Sequence, residues 1–256
     1  MALSLDLQGK LALVTGATGD LGRVMARTLA SAGADIAVHY HQNASKADEL
    51  CAEINALGRR TMPISGDVGT REDVFSMRDA IRTELGDPQI IVANAVSQIF
   101  PWETVLDEEL SDYEDQFRSC ILQNVLLAKA FVPTMIESVY GRYIGINTEC
   151  AMQLKPTQSA YAAAKRGMDG VLRVLAKEVG QHQITVNQVA PGYTISDRDR
   201  EAGTEHNASY ESTVPLARRG TDQEIANVVA FLASDLASYI TGAYVPVCGG
   251  NVMATI

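Results

Sequence analysis

The length and composition of the chain limit what it can be. Its 256 residues suffice for one α/β domain with a sizeable buried sheet, and 46% hydrophobic with 20% charged residues is ordinary for a soluble globular protein. The formal net charge of −10 argues against general nucleic-acid binding. The chain shows no basic amino-terminal segment and no run of 18 apolar residues, so we expect a cytoplasmic protein without a membrane span.

The cysteines are scattered along the chain and form no ligand pattern. Cys51, Cys120, Cys150 and Cys248 include no Cys-x-x-Cys pair and no Cys/His cluster. This spacing argues against structural zinc and against the disulfide framework of a secreted protein. We therefore predict no metal site.

Glycines follow the first predicted strand directly. That strand is the apolar run at residues 10–15, and it leads through Gly16-Ala-Thr-Gly19-Asp-Leu-Gly22 into a helical segment at 24–32. In this context glycines let the backbone approach a pyrophosphate, and the free N–H groups at the helix start attract its charge. A tight strand–helix turn is the alternative. The spacing favours a nucleotide site with these contacts: Gly16, Thr18, Gly19, Asp20, Leu21 and Gly22.

The end of the second strand, Asp35–Tyr40, bears on the choice of cofactor. NAD-binding folds usually place an acid there to hydrogen-bond the adenosine 2′-hydroxyl, whereas this chain has Tyr40. Without that acid, no carboxylate at this position repels a 2′-phosphate. Four polar residues that follow could contact such a phosphate: His41, Asn43, Ser45 and Lys46. We predict NADP(H) rather than NAD(H), with a solvated loop as the alternative for these polar residues.

Strands and helices alternate along the rest of the chain. Helices are expected at 44–57, 70–85, 113–138 and within 215–234, and strands at 60–65, 89–93, 141–148, 184–190 and 243–248. The alternation predicts a single-domain Rossmann-like α/β fold over residues 1–256, with a doubly wound parallel sheet of about seven strands. Asp67 and Asn94 follow two of the strands, where ligands bind in such sheets. The polar segment 193–213 is predicted to be a mobile lid.

Tyr161 and Lys165 stand four residues apart, hence on one face of a helix. An ammonium beside a phenol favours the phenolate and lowers the phenol pKa, which makes the tyrosine a usable proton donor near neutrality. The alternative is that Tyr161 belongs to the apolar stripe of an amphipathic helix. Thr148, thirteen residues upstream at the end of the fifth strand, favours the catalytic interpretation.

Taken in order, these motifs resemble the short-chain dehydrogenase/reductase family over nearly the whole chain, and among its members the 3-oxoacyl-carrier-protein reductases and related ketone reductases. The resemblance rests on segments spread from end to end: 15–22, 67–68, 94–95, 161–165, 191–192, 215–220, 224–226, 231–235 and 239–242. It implies that Tyr161 is the general acid and that Thr148 binds the substrate oxygen. It also implies that Lys165 holds the nicotinamide ribose and depresses the Tyr161 pKa.

The resemblance assigns the remaining cofactor contacts as well. Asp67 and Val68 bracket the adenine, Asn94 lies on the adenosine side, and Pro191, Gly192 and Thr194 face the nicotinamide carboxamide. It further implies a homotetramer in which helix 113–138 and the Tyr161 helix pack across an interface.

The chain departs from the family pattern at several positions. Asp20 stands at the middle glycine, Thr148 at the serine, Val96 at a glycine and Cys120 at the asparagine that organises a relay water; Cys248 replaces a residue of a carboxyl-terminal Asp-Gly-Gly motif. A thiol is a poor substitute for an amide. The site is therefore expected to be a triad of Thr148, Tyr161 and Lys165.

Two functions follow from these observations. The first is an NADP(H)-dependent oxidoreductase that interconverts a ketone and a secondary alcohol, with a small-molecule substrate and neither nucleic acid nor membrane as a partner. The second is a catalytically weak or inactive nucleotide-binding protein on the same fold, which the changes at Asp20, Val96 and Cys120 would produce. Arg218 and Arg219 are expected to be solvated, the alternative being attraction of an acidic carrier protein.

Overall fold

A computed structural model describes residues 5–97 and 99–253. Seven strands form one parallel sheet in the order β3-β2-β1-β4-β5-β6-β9. They are β1 (Leu11–Val14), β2 (Asp35–Tyr40), β3 (Thr61–Ser65), β4 (Ile90–Ala93), β5 (Gly141–Ile146), β6 (Ile184–Pro191) and β9 (Tyr244–Val247). Each predicted strand is present within two residues at either end. The doubly wound parallel sheet is confirmed.

The helices cover both faces of the sheet. They are α1 (Asp20–Ser31), α2 (Ala44–Ala56), α3 (Arg71–Glu84), α4 (Leu110–Gln116), α5 (Gln123–Ser138), α6 (Cys150–Gln153), α7 (Ser159–Val179), α8 (Asp197–Ala202), α9 (Ala208–Glu211) and α10 (Asp222–Ala233). Strands β1, β4, β5 and β6 are buried throughout. Continuous apolar runs suit them because helices exclude water from both faces.

Two apolar cores lie on opposite sides of the sheet. Helices α1, α2 and α10 pack on one side, where Met25, Ile54 and Ile225 are fully buried. Helices α3, α5 and α7 pack on the other side around buried residues such as Phe131 and Leu172. Successive strands are added on one side of β1 up to β3 and on its other side from β4 onward, so the loops that follow β1 and β4 run in opposite directions and leave a crevice at the carboxyl ends of these paired strands.

The long helix expected at 113–138 differs from its prediction. It consists of α4 and α5 joined by a π-helical turn, Phe117–Leu122, and so begins at Leu110. The stretch Leu110–Ser138 is also long and apolar enough to cross a membrane, with a mean hydropathy of 1.4 in its best window. It contains no uninterrupted run of 18 apolar residues, because charged residues such as Arg118 and Lys129 interrupt it. Of that window 56% is buried, and α5 packs against α3 and α7, as a core helix does.

The predicted lid, residues 193–213, contains regular structure that its sequence pattern did not reveal. A short strand β7 (Thr194–Ile195) pairs in parallel with β8 (Gly220–Thr221), and α8 and α9 follow β7. Ser196 begins α8 with a capping box that it forms with Asp199. Such short elements carry too few turns to show a hydrophobic period.

Candidate functional site

Three adjoining cavities line the carboxyl end of the sheet. The first, which we call the crevice, has a volume of about 770 Å³ and runs past the Gly16–Gly22 turn. The second, the junction cavity, has a volume of about 340 Å³ and is lined by Tyr161 and Lys165. The third, the Trp102 pocket, has a volume of about 540 Å³ and shares Tyr161 with the junction cavity. Apart from Ser45 and Lys46, every residue predicted for the site lines the crevice or the junction cavity. Val96, which was expected to stand at a glycine position of the family pattern, lines all three cavities.

The glycine turn is shaped by close backbone approach. Gly16 adopts a left-handed φ of 61°. A Cβ on Gly22 would overlap the carbonyl oxygen of Gly16 and would lie 2.9 Å from the Cα of Ala17. Asn94 completes the turn by donating from Nδ2 to the carbonyls of Thr15 and Gly16 over 2.9 and 3.2 Å. The turn thus leaves room along the start of α1 that only a glycine permits, which fits a bound pyrophosphate.

His39 is a structural part of the crevice that the sequence analysis did not single out. Its Nδ1 accepts from the Gly16 N–H over 2.9 Å, so Nε2 carries the proton and donates to the Gly66 carbonyl over 3.0 Å. The side chain is 1% exposed, and burial lowers its pKa to about 4. A neutral His39 therefore joins the loops that follow β1 and β3.

Asp20 is an exposed residue at the start of α1, on the border between the crevice and the junction cavity. Cations of the lid lie on the same side. The pKa of Arg200 is raised by hydrogen bonds to Asp222 and, more weakly, by the charge of Asp20. Arg23, in the first turn of α1, forms an ion pair with Asp197 of α8. Asp20 thus has positively charged as well as negatively charged side chains near it.

The four residues expected near a 2′-phosphate separate in the structure. His41 and Asn43 line the crevice, whereas Ser45 donates to Glu49 within α2, and Lys46 is exposed away from the lining. The prediction for Ser45 and Lys46 was wrong because the first turn of α2 carries both side chains outward.

The opposite wall of the crevice is built by the loop after β3 and by the π-helical turn. Asp67 and Val68 line it, and one Asp67 carboxylate oxygen accepts from the Gly69 N–H over 2.7 Å. Arg118 lines it from the π-helical turn and brings a cation into the crevice. Its position was not foreseen, because the sequence pattern indicated continuous α-helix there.

Tyr161 and Thr148 meet in the junction cavity. The Thr148 hydroxyl lies close enough to the Tyr161 phenol to lower its pKa, and Trp102 meets the Tyr161 ring edge to face at 5.7 Å. Lys165 is 3% exposed and donates from Nζ to the Ile146 carbonyl over 2.6 Å. The strand end after β5 and one turn of α7 thus hold the three expected catalytic residues together.

The expected effect of Lys165 on Tyr161 differs from what the structure shows. The Tyr161 pKa is raised rather than lowered, chiefly by burial and further by Cys120 and Cys150, while the hydrogen bond from Thr148 opposes the rise. Lys165 Nζ lies 5.7 Å from the centre of the tyrosine ring and is held by a backbone carbonyl. Desolvation of a phenolate therefore outweighs the lysine, and Tyr161 keeps its proton at neutral pH.

Cys120 lies fully buried in the π-helical turn near Tyr161. Its thiol donates to Gln116 Oε1 over 3.6 Å, and its backbone carbonyl accepts from Asn124 Nδ2 over 2.6 Å. The position expected to hold an amide thus presents a thiol that is engaged within its own helix.

The Trp102 pocket combines an apolar wall with polar side chains. Ile99, Phe100 and Trp102 form the wall, and Glu149, Tyr193 and Tyr210 face it. Glu149 is 4% exposed, follows Thr148 directly and accepts from Asn251 Nδ2 over 3.1 Å. Burial raises the pKa of its carboxyl group.

Arg219 was expected to be solvated and is instead 2% exposed. Its guanidinium donates to the carbonyls of Thr194, Thr204 and Glu205 over 2.9, 3.0 and 3.2 Å, and to Asp199 over 2.8 Å. It also stacks on the Tyr193 ring at 3.8 Å. The prediction failed because the lid folds over this side chain and supplies acceptors from three separate segments.

Arg218, its neighbour, pairs with Glu224 and stays half exposed, so it is a solvated residue as expected. In residues 5–97 and 99–253, no three His, Cys, Asp or Glu side chains cluster closely enough to hold a metal ion.

Comparison with known proteins identifies the family. A family model described as enoyl-(acyl carrier protein) reductase matches residues 16–251. The 3-oxoacyl-[acyl-carrier-protein] reductase FabG of Pseudomonas aeruginosa is 37% identical over 251 residues, covering 98% of this chain and 100% of the relative. The FabG of Escherichia coli K12 is 37% identical over 250 residues, covering 97% and 100%. The chain belongs to the short-chain dehydrogenase/reductase family.

Solved structures agree with this membership. The promiscuous reductase LugOII, described as catalysing keto-reduction in lugdunomycin biosynthesis, superposes with a TM-score of 0.87 at 30% identity, covering 96% of this chain and 99% of that one. A putative gluconate dehydrogenase from Agrobacterium tumefaciens superposes at 0.91 with 25% identity, covering 99% and 100%. This short-chain dehydrogenase/reductase is thus an oxidoreductase with ketoreductase relatives.

Several functional residues of this short-chain dehydrogenase/reductase were not predicted from its sequence. His39 had a detectable signal, since a histidine inside an apolar buried strand needs hydrogen-bond partners. Glu149 had one too, because it follows Thr148 directly. Arg118, Arg219 and Tyr210 had none, since their partners come from distant segments.

Proposed function

We propose that this protein is an NADP(H)-dependent ketone reductase or alcohol dehydrogenase with Tyr161 as its general acid and base. One observation carries the proposal: the side chains of Tyr161 and Thr148 both line the junction cavity and the Trp102 pocket, where the two cavities meet. A cofactor in the crevice and a carbonyl compound in the pocket would meet at these two hydroxyls.

The bound cofactor supplies the hydride, which reaches the carbonyl carbon of the ketone. Tyr161, protonated at neutral pH because burial raises its pKa, gives its proton to the carbonyl oxygen. Thr148 hydrogen-bonds that oxygen, and Lys165 holds the ribose. In the oxidative direction the Tyr161 phenolate, the form left by that proton transfer, accepts the alcohol proton. Burial of the site strengthens each of these hydrogen bonds.

The same proposal assigns the cofactor contacts. Gly16, Thr18, Gly19, Asp20, Leu21 and Gly22 receive the pyrophosphate; Asp67, Val68 and Asn94 receive the adenosine; and Pro191, Gly192 and Thr194 receive the nicotinamide. The preference for NADP(H) over NAD(H) is supported by Tyr40 in place of an acid, by His41 in the crevice lining and by the Arg118 cation. A thermal-shift titration with the four nicotinamide nucleotides tests it, because a ligand at 100 times its Kd stabilises by about 2.7 kcal/mol.

The decisive experiment replaces Tyr161 by Phe. We expect turnover of a carbonyl panel with NADPH to fall roughly 10²- to 10⁴-fold, while the thermal shift with NADPH remains. Activity that survives the replacement contradicts the proton-donor role. A thermal shift in the wild type without turnover on any ketone would instead favour the nucleotide-binding alternative, which draws on Asp20, Val96 and Cys120.

We further propose that residues 1–256 form one NAD(P)-binding domain, that the protein is cytoplasmic, and that it is a homotetramer. The last proposal is supported by an apolar groove of about 610 Å³ between α5 and α7, lined by Val125, Val132 and Val171. Val174 on its rim is 54% exposed. Apolar patches of this kind mark association surfaces. Light scattering that gives a monomer would contradict the tetramer.

A further inference from the structure

The Trp102 pocket places a buried carboxylate beside the reacting hydroxyls. Glu149 follows Thr148 in the chain, and its backbone N–H donates to the Pro191 carbonyl over 2.9 Å. This hydrogen bond fixes the backbone of Glu149 beside Thr148. The side chain is 4% exposed and lines the pocket.

The charge of Glu149 has no close cation to balance it. In the part of the chain that the structure describes, it takes part in no salt bridge, and its hydrogen-bonding neighbours, the Asn251 amide, the Tyr210 phenol and the Tyr193 backbone N–H, are neutral. The cation that acts on it is Lys155, an exposed residue of the pocket lining. A carboxylate offers about four acceptor positions, so capacity for further donors remains.

A second acceptor in the same pocket is unpaired. The Oε1 atom of Gln158 is buried and has no hydrogen-bond partner, and Gln158 lines the Trp102 pocket. Cys150 lines the pocket beside Gln158. The Gln158 oxygen is therefore open to a donor that enters the pocket. Buried acceptors without partners are uncommon in folded proteins, and a hydrogen-bonding group of a ligand would explain this one.

We propose that Glu149 and Gln158 select carbonyl substrates that carry a hydroxyl group near the reacting carbon, which deepens the proposed function and rests on it. The hydroxyl donates to these acceptors while the hydrocarbon part packs on Trp102 and Phe100. A simple alkyl chain fills the pocket but leaves Gln158 Oε1 unpaired and the remaining acceptor capacity of Glu149 unused. Sites built to hydrogen-bond a hydroxyl reject analogues that lack it.

The test compares ketones that differ only in a hydroxyl and a methyl group. Suitable pairs are 1-hydroxy-2-butanone with 3-pentanone, and 4-hydroxycyclohexanone with 4-methylcyclohexanone. We expect the wild type to prefer the hydroxylated ketone by roughly 10- to 100-fold in kcat/KM. Glu149→Gln keeps the shape but replaces one acceptor oxygen by a donor, so this ratio is expected to fall tenfold or more. Glu137→Gln, an exposed carboxylate on α5, is the charge-matched control and leaves the ratio as in the wild type.

A merely structural role for Glu149 gives a different result. If it only tethers Asn251 and Tyr210, its replacement lowers turnover of both ketones equally and leaves the ratio intact, which overturns the proposal. An equal preference in the wild type also overturns it. Should Glu149→Gln prove unstable on heating, Gln158→Leu gives the same readout and must lower the ratio.

The outcome also separates this inference from the proposed function. Turnover of both ketones at equal rates rejects only the selectivity. No turnover of any ketone, or turnover that survives Tyr161→Phe, rejects the proposed reaction itself.

Discussion

The crevice and the lid both border the junction cavity, yet they are built by different means. The crevice is shaped by backbone: the Gly16–Gly22 turn, the carboxyl ends of β1 and β4, and carbonyls held by His39 and Asn94. The lid is held by side chains that come from distant segments, above all by Arg219 and its four oxygen acceptors. A backbone-built site depends on local geometry, whereas a side-chain-built site depends on tertiary contacts.

This contrast explains which positions of the glycine turn accept a side chain. Asp20 lies on the exposed rim of the crevice, where a side chain finds room and Arg200 of the lid is near it. Gly22 has no such freedom because its neighbours are backbone atoms. Glu149 and Arg219 enter buried positions only because partners surround each of them.

The largest effect is expected when the lid loses its central cation. Arg219→Leu leaves Asp199 and three backbone carbonyls without their donor, and breaking a buried ion pair costs about 3–5 kcal/mol. We expect a Tm that is several degrees lower and a higher KM for ketones. Urea unfolding and steady-state kinetics measure both.

Arg218→Leu is the matched control for that change. Arg218 pairs with Glu224 at the surface, and exposed pairs contribute about 0–1 kcal/mol. An equal loss of unfolding free energy in the two variants would show that burial of Arg219 does not matter for stability, and that its side chain does not hold the lid.

A somewhat smaller effect is expected in the crevice. Gly22→Ala places a methyl group against the Gly16 carbonyl. Where the neighbouring atoms cannot move, overpacking of this kind lowers the free energy of unfolding by up to about 3 kcal/mol. Because the turn must shift, we also expect the thermal shift with NADPH to be lost. Gly180→Ala, where a Cβ meets no atom within 4 Å, controls for the substitution itself. Normal cofactor binding by Gly22→Ala would argue against a backbone-built crevice.

The smallest effect concerns pH and His39. Its pKa is about 4 in the folded chain and about 6.5 when unfolded, so the unfolded form binds more protons between these values. Stability from this group is therefore full above pH 6.5 and is lost as the pH falls toward 4. We expect protonation of His39 in the unfolded chain to lower the free energy of unfolding by about 2 kcal/mol as the pH falls from 6.5 to 5.

His39→Gln removes that proton linkage. Its unfolding free energy, measured by denaturant titration, is expected to fall less over the same pH range than that of the wild type. His206→Gln, which alters a 95% exposed ring, should leave the wild-type slope. A wild-type slope in His39→Gln would mean that the acid sensitivity comes from other groups.

Much of the fold was predictable because its signals are local. The apolar runs of β1, β4 and β6, the helical periods between them and the glycine turn each lie within a few consecutive residues. The π-helical turn was not predictable, since its residues 117–122 have the composition of an ordinary helix. The lid helices α8 and α9 were too short to show a period.

The site divides in the same way. Tyr161 and Lys165 could be assigned from their spacing and from Thr148, and the structure brings the three together in the junction cavity. The direction of the Tyr161 pKa shift could not, because burial depends on how α7, Trp102 and Cys120 enclose the ring. Likewise, the sequence indicated two adjacent arginines but not that one is buried and the other solvated.

The sequence by itself determined the parallel sheet, the glycine turn and the identity of the reacting hydroxyls, because these depend on residue type and on spacing along a helix or strand. Only the tertiary structure decided the protonation of Tyr161, the burial of Arg219 and the acceptors that Glu149 and Gln158 present to the Trp102 pocket. Those properties depend on how much water is excluded and which distant atoms meet. Both are set by packing between segments far apart in the chain.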